Sequence, residues 1–210
     1  VELVIVRHGE TEWTISGQYM GSTDIGLTSN GRRQAASLRL LLDGVLRGGT
    51  AVVYSNPRKR AIETAKLALP QGRAAVEPLL SEFDYGAYEG LSPDQIAVLR
   101  PGWDIWRDGC PDGDSAADVG SRADRFLEGY VERSLGPVVV VSHGHFSRVL
   151  AARALGLTAG RGDLFASATA SVSVIEDHHG KRCIGLWNAS ADLINSAIDG
   201  TRANARPTAP

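Results

Sequence analysis

Apolar residues in this chain come in short runs that stop abruptly at polar or glycine-containing junctions. Val1 to Val6 is mostly β-branched, which predicts a buried strand, and it runs straight into Arg7-His8-Gly9. Ala51 to Tyr54 predicts a second strand, followed by Ser55-Asn56-Pro57-Arg58. Pro57 suits the first position of a helix, here predicted to run to Leu69, before Pro70. Pro137 to Val141 is the clearest strand, followed by Ser142-His143-Gly144-His145. Helical spacing governs Ala35, Leu38, Leu41, Leu42 and Val45, with Thr28 as N-cap and Gly48-Gly49 as the stop. It returns at Val149, Leu150, Ala152 and Leu155. Ala170 to Glu176 and Arg182 to Trp187 read as two strands around a polar turn at His178 to Lys181. Residues 78–115, rich in Gly, Pro, Tyr, Trp and Asp, read as an irregular insertion with a short helix over Pro93 to Leu99. Strands alternating with helices predict an α/β domain with a mostly parallel sheet, and the last strand pair supplies an antiparallel edge.

Length changes this picture little: 210 residues suit one domain, expected over 1–195. Residues 196–210, built of Ala, Thr, Asn, Arg and Pro, lack the apolar content to fold and are expected to be a disordered tail. A net charge of -2 argues against a nucleic-acid or membrane footprint. No apolar run approaches the roughly 20 residues of a membrane span, and no signal-peptide pattern opens the chain. Cys110 and Cys183 are far apart and read as free thiols of a reducing compartment. The expected location is therefore cytoplasmic.

The chemistry sits where strands end. In parallel α/β sheets, ligands bind outside the carboxyl ends of the strands. Arg7-His8-Gly9, Ser55-Asn56-Pro57-Arg58 and Ser142-His143-Gly144 all occupy such ends, so Arg7, His8, Arg58 and His143 are expected to converge. Two guanidinium forks and two imidazoles match a phosphoryl group: the forks pair with its oxygens, and a neutral imidazole can attack phosphorus. A leaving oxygen needs a proton, for which Glu82 is the candidate and Asp84 the rival. Arg58, Lys59 and Arg60 form a basic run of the sort usually solvated; Arg58 is assigned to the catalytic set and Arg60 is a secondary substrate-binding candidate. His145 is left outside the catalytic set as a residue opening the helix. His178 and His179 read as exposed turn residues. No Cys or carboxylate cluster accompanies the histidines, so no metal or other cofactor is expected.

Val6-Arg7-His8-Gly9-Glu10-Thr11-Glu12-Trp13 resembles the signature of the histidine phosphatase superfamily, the phosphoglycerate-mutase-like enzymes. The resemblance continues through Leu27-Thr28, Gly31, Ser55 to Ala61, Glu82 to Gly90 and Ser142-His143-Gly144, in order, over about residues 1–190. It implies a three-layer α/β/α sandwich and a metal-independent phosphatase passing through phosphohistidine. His8 would be the nucleophile, Arg7, Arg58 and His143 the phosphoryl ligands and Glu82 the proton donor. Gly17 to Asp24, Asp84 to Gly90 and Trp103 to Cys110 are similar to the sugar-bisphosphatase (sedoheptulose-bisphosphatase) branch. Ser142 to Arg148 is similar to actinobacterial broad-specificity acid phosphatases. On that likeness Thr14, Gln18, Tyr19, Thr23, Tyr85, Trp106 and Arg148 are expected to bind a small phosphorylated metabolite, a sugar phosphate or bisphosphate. Trp103 and Trp106 have a rival reading as core aromatics, and Arg148 as a surface residue. Two alternatives stand beside the phosphatase: a phosphoglycerate mutase and a non-catalytic phospho-ligand binding module. Mutases usually carry Asn after the first-motif Trp, where this chain has Thr14, and have a longer insertion beside the site. Homodimers are common in the wider family, and the sequence leaves assembly open.

Overall fold

The computed structural model describes residues 2–190. The expected tail at 196–210 and the domain limit at 195 lie outside the described residues. The chain opens with β1 (Leu3–Arg7), a one-turn α1 (Glu12–Ser16) and the long α2 (Ser29–Leu46). It continues through β2 (Val52–Ser55), α3 (Lys59–Ala68) and the two-residue β3 (Ala75–Val76). Short helices α4 (Pro93–Leu99) and α5 (Ile105–Asp108) occupy the insertion, and α6 (Ala116–Phe126) follows. The end is β4 (Val138–Ser142), α7 (Gly144–Ala154), β5 (Val172–His178) and β6 (Lys181–Ala189).

The six strands lie in the order β3-β2-β4-β1-β5-β6. β1, β2, β3 and β4 run parallel, while β5 and β6 form the antiparallel edge. Alternation along the central strands divides the core. Leu3, Ile5, Val138 and Val140 face the side covered by α6 and α7, and Val4, Val6, Val139 and Val141 face α2 and α3. The result is a three-layer α/β/α sandwich. Val138 to Val141 are all fully buried, each worth roughly 1.5–3 kcal/mol over an exposed placement. That explains the unbroken apolar run: a strand covered on both faces has no polar side.

Thr28 caps α2 as the sequence predicts, its hydroxyl accepting from the Gly31 N–H at 2.9 Å. The helix stops at Leu46, where Arg47 and Gly48 turn left-handed. His179 and Gly180, both at positive φ, close the β5–β6 hairpin in two residues. Helix α6 is absent from the expectations drawn above. Its inner face, Ala116, Val119, Gly120, Ala123 and Phe126, nevertheless recurs at helical spacing. Among the described residues no helix is long and apolar enough to cross a membrane.

Candidate functional site

The parallel strands β2, β4 and β1 are neighbours, so their carboxyl ends open on one edge. His8 continues β1 by one residue. Its N–H donates to Ser142 O at 3.0 Å, and its carbonyl accepts from Ala170 N at 2.9 Å. The next residue has to be glycine: a Cβ on Gly9 would lie 2.4 Å from the Gly31 carbonyl oxygen. Gly9 in turn fixes the imidazole, because its carbonyl lies 2.7 Å from His8 Nδ1. A carbonyl only accepts, so Nδ1 carries the proton and Nε2 keeps its lone pair. Burial, with Arg60 and Arg7 adding to it, pushes His8 well below the usual histidine range. It is a neutral imidazole with a free nucleophilic nitrogen.

His143 stands 5.3 Å away, ring centroid to centroid, edge-on to His8. Arg60 Nε donates to its Nδ1 at 3.2 Å, so His143 is the opposite tautomer, with its proton on Nε2. Burial and the neighbouring Arg60 hold it neutral. Arg60 is fully buried on the inner face of α3. Its fork also donates to the carbonyls of Thr23, Met20 and Gly21 at 2.9, 3.1 and 3.3 Å. Burial lowers its pKa to about 10, so it stays charged. Arg58 is placed differently. It is the N-cap of α3, half-buried, with its backbone N–H donating to Asn56 Oδ1 at 3.0 Å. Its charge reaches His143 more weakly than that of Arg60. The residue expected only as a secondary binder is thus the one that contacts His143 and whose charge acts on both histidines.

Arg7 anchors the opposite side through an Nη1 hydrogen bond to Ser167 O. The anchoring segment is held in place by the edge strand, where Trp187 Nε1 donates to Ala166 O at 2.8 Å and Asn188 Oδ1 accepts from Ala168 N at 2.7 Å. Glu82 is buried at the N-terminus of α7. Its carboxyl accepts from the backbone N–H groups of Phe146, His145 and Phe83 at 2.7, 2.9 and 3.0 Å. Burial nevertheless outweighs these bonds and the attraction of Arg7, and raises its pKa. Asp84, the rival acid, is exposed and accepts from Gly86 N at 3.0 Å. The loop carrying Glu82 is clamped from α6: Arg122 Nη2 donates to the carbonyls of Ser81 and Glu82 at 3.0 and 2.9 Å, and its Nη1 pairs with Asp114 at 2.7 Å. Arg122→Leu leaves those carbonyls without their donor. It is expected to lower kcat about 10-fold through misplacement of Glu82 and to lower Tm by several degrees, as read by steady-state kinetics and thermal melting of the same preparation.

A cleft of about 460 Å³ opens above these groups, lined by Arg7, His8 and Glu82 at its floor. Its walls include Thr14, Gln18, Tyr19, Tyr85, Trp106 and Arg148, six of the seven expected binding residues. Arg148 lies over the Trp106 ring at 4.4 Å, a cation–π contact that holds its charge at the cleft. The Thr14 hydroxyl is engaged in the capping box of α1 with Thr11. Thr23 is not among the lining residues. Its carbonyl supports Arg60, and its N–H donates to Glu89 at 2.9 Å. His145, left out on sequence grounds, lines the cleft in full burial. Among the described residues no group of three or more His, Cys, Asp or Glu is placed to hold a metal ion.

The chain matches the model of the histidine phosphatase superfamily, branch 1, over residues 3–190. It is 43% identical to an acid phosphatase of Mycobacterium tuberculosis, covering 88% of this chain and 90% of that one. It is 33% identical to sedoheptulose 1,7-bisphosphatase of Saccharomyces cerevisiae, covering 73% and 67%. Among solved structures, the product of a Mycobacterium tuberculosis open reading frame superposes with a TM-score of 0.84 at 38% identity, over 90% and 97% of the two chains. A mycobacterial glucosyl-3-phosphoglycerate phosphatase, solved with VO3, gives 0.80 at 28% identity, over 90% and 99%.

Proposed function

Since this chain belongs to the histidine phosphatase superfamily, branch 1, and is an enzyme of phosphatase type, we propose that it hydrolyses small phosphorylated metabolites, sugar phosphates or bisphosphates, through phosphorylated His8. The observation that carries this reading is the pair of neutral histidines in opposite tautomers, one offering a lone pair and the other a proton. The substrate phosphate docks against Arg7 and His143 Nε2–H, with Arg60 behind His143. His8 Nε2 attacks phosphorus as the ester P–O bond breaks, and Glu82 gives its proton to the departing oxygen. Water then attacks phosphohistidine, Glu82 takes a proton from it, and His8 leaves as the free imidazole. Preorganised donors stabilise the charge that develops on the equatorial oxygens, which is where most of the rate comes from.

The relatives named acid phosphatase and sedoheptulose 1,7-bisphosphatase support water as the acceptor. So does the compact cleft. The test is phosphate release from a panel of monoesters including sugar bisphosphates, with a chelator present throughout. The pH dependence of kcat/KM has a fixed sign. Activity rises as pH climbs through the lowered pKa of His8, because only neutral His8 attacks, and it falls as pH climbs through the raised pKa of Glu82, because only protonated Glu82 donates. Glu82→Gln is expected to erase the upper limb. Survival of that limb in the variant assigns the proton donor elsewhere, and interconversion of phosphoglycerates far faster than their hydrolysis makes the enzyme a mutase.

A further inference from the structure

The mechanism above uses two of the three buried histidines at this edge. The third, His145, is fixed as firmly as the others. Four rings, those of Tyr19, Phe83, Tyr85 and Trp106, surround its imidazole at 5.2–5.9 Å, all edge-on, which sets the plane of the ring. The Tyr85 hydroxyl lies 2.7 Å from Nδ1. Burial drives the Tyr85 phenol well above its ordinary value, so it keeps its proton, and it has to place that proton on an acceptor. Nδ1 is the acceptor in reach. His145 is likewise held neutral by burial, with Arg148 and Arg7 adding to it. Its one ring proton is therefore on Nε2, and Nε2 is buried with no hydrogen-bond partner among the described residues.

An unmet buried donor is costly, and such atoms concentrate here: among the described residues Arg7 Nε, His143 Nε2 and His145 Nε2 find no partner, and Arg7 and His145 both line the cleft. Position along α7 indicates what each one serves. His143 caps the helix beside His8; His145 and Arg148 follow on one face, three residues apart, about 4.5 Å along the axis. A neutral donor thus stands between the site of the reacting phosphoryl group and a cation stacked on Trp106.

We propose that His145, held by Tyr85 with its proton on Nε2, is a specificity-determining residue that donates a hydrogen bond to an uncharged oxygen, a hydroxyl or carbonyl, on the leaving group of the substrate. This rests on the phosphatase reading and names the feature of the substrate that the cleft selects: a polyhydroxylated or keto phosphate ester is preferred over an aryl ester that lacks such an oxygen.

The experiment compares kcat/KM for a sugar phosphate and for phenyl phosphate in wild type, His145→Phe, His145→Gln and Tyr85→Phe, alongside the ring 15N shifts of the histidines. His145→Phe keeps a ring in the aromatic cage and removes the donor. The expected result is a fall of about 10-fold in the sugar-to-phenyl ratio, the size of one hydrogen bond. His145→Gln, which restores a donor, recovers part of the ratio, and Tyr85→Phe lowers it by releasing the tautomer. The 15N shifts are expected to report Nε2–H in wild type. An equal fall for both esters makes His145 merely structural and overturns the proposal, as does a proton found on Nδ1. If wild type hydrolyses neither ester, the phosphatase reading fails instead, and the ring shifts still decide whether the donor exists.

Discussion

His8→Ala is expected to lose phosphate release by on the order of 10⁵-fold, the scale seen when a covalent nucleophile is removed from a site whose parts act as a unit. The loss falls on kcat, because in the proposed mechanism Arg7 and His143 remain to hold the phosphate. It has a covalent counterpart: wild type mixed briefly with labelled substrate should carry a phosphoryl group that acid removes and alkali spares, and His8→Ala should carry none. The small side chain leaves a void against Gly9 and the β1 end, so the fold of the variant is checked by circular dichroism. A folded His8→Ala that still turns over at the wild-type rate would falsify the nucleophile assignment.

The second large effect separates two arginines two residues apart. Arg60→Lys keeps the charge but cannot reproduce a fork that reaches His143 Nδ1 and three carbonyls together. A loss of about 10²–10³-fold in kcat/KM is expected, the scale of one preorganised donor set. Without the Arg60 donor, His143 is also free to move its proton to Nδ1, which turns its inward nitrogen from a donor into a lone pair facing the phosphate. Arg58→Ala removes a half-buried side chain at the helix start and is expected to cost less than about 10-fold. The reverse ranking in kcat/KM would return the role to Arg58.

That contrast shows where sequence reading succeeds and where it stops. Strand ends are legible because an apolar run such as Val138 to Val141 needs burial on both faces, and its polar sequel has to emerge at the sheet edge. The convergence of β1, β2 and β4 follows from their being parallel neighbours. Side-chain direction within the first turn of α3 is a different matter. Arg58 follows the strand most closely, but it caps the helix, and Arg60 falls on the face shared with Ala61, Thr64, Ala65 and Ala68. The spacing of those residues already marks position 60 as inward. Helix α6 was legible too: Ala116, Val119, Ala123 and Phe126 keep helical spacing, and the Ser115 and Asp118 capping box announces its start. The placement of His145 is not legible in the sequence, because its aromatic cage is assembled from three separate stretches, at Tyr19, at Phe83 and Tyr85, and at Trp106.

The position of β1 in the sheet sets a timetable for the enzyme. This strand is made before either of its sheet neighbours: Leu3 pairs with Val138 on one side and with Ile175 on the other. Until Ile175 has been made, the strand that leads into His8 has no ladder partner on its second side, and until Ser167 has been made Arg7 has no carbonyl there to hold it. On the proposed mechanism, a growing chain therefore carries His8 undirected until these later-made neighbours close around it. Such long-range pairing is slow to form, and in the interval Leu3 to Val6 is an apolar strand with an open edge, a segment in need of protection while the chain folds.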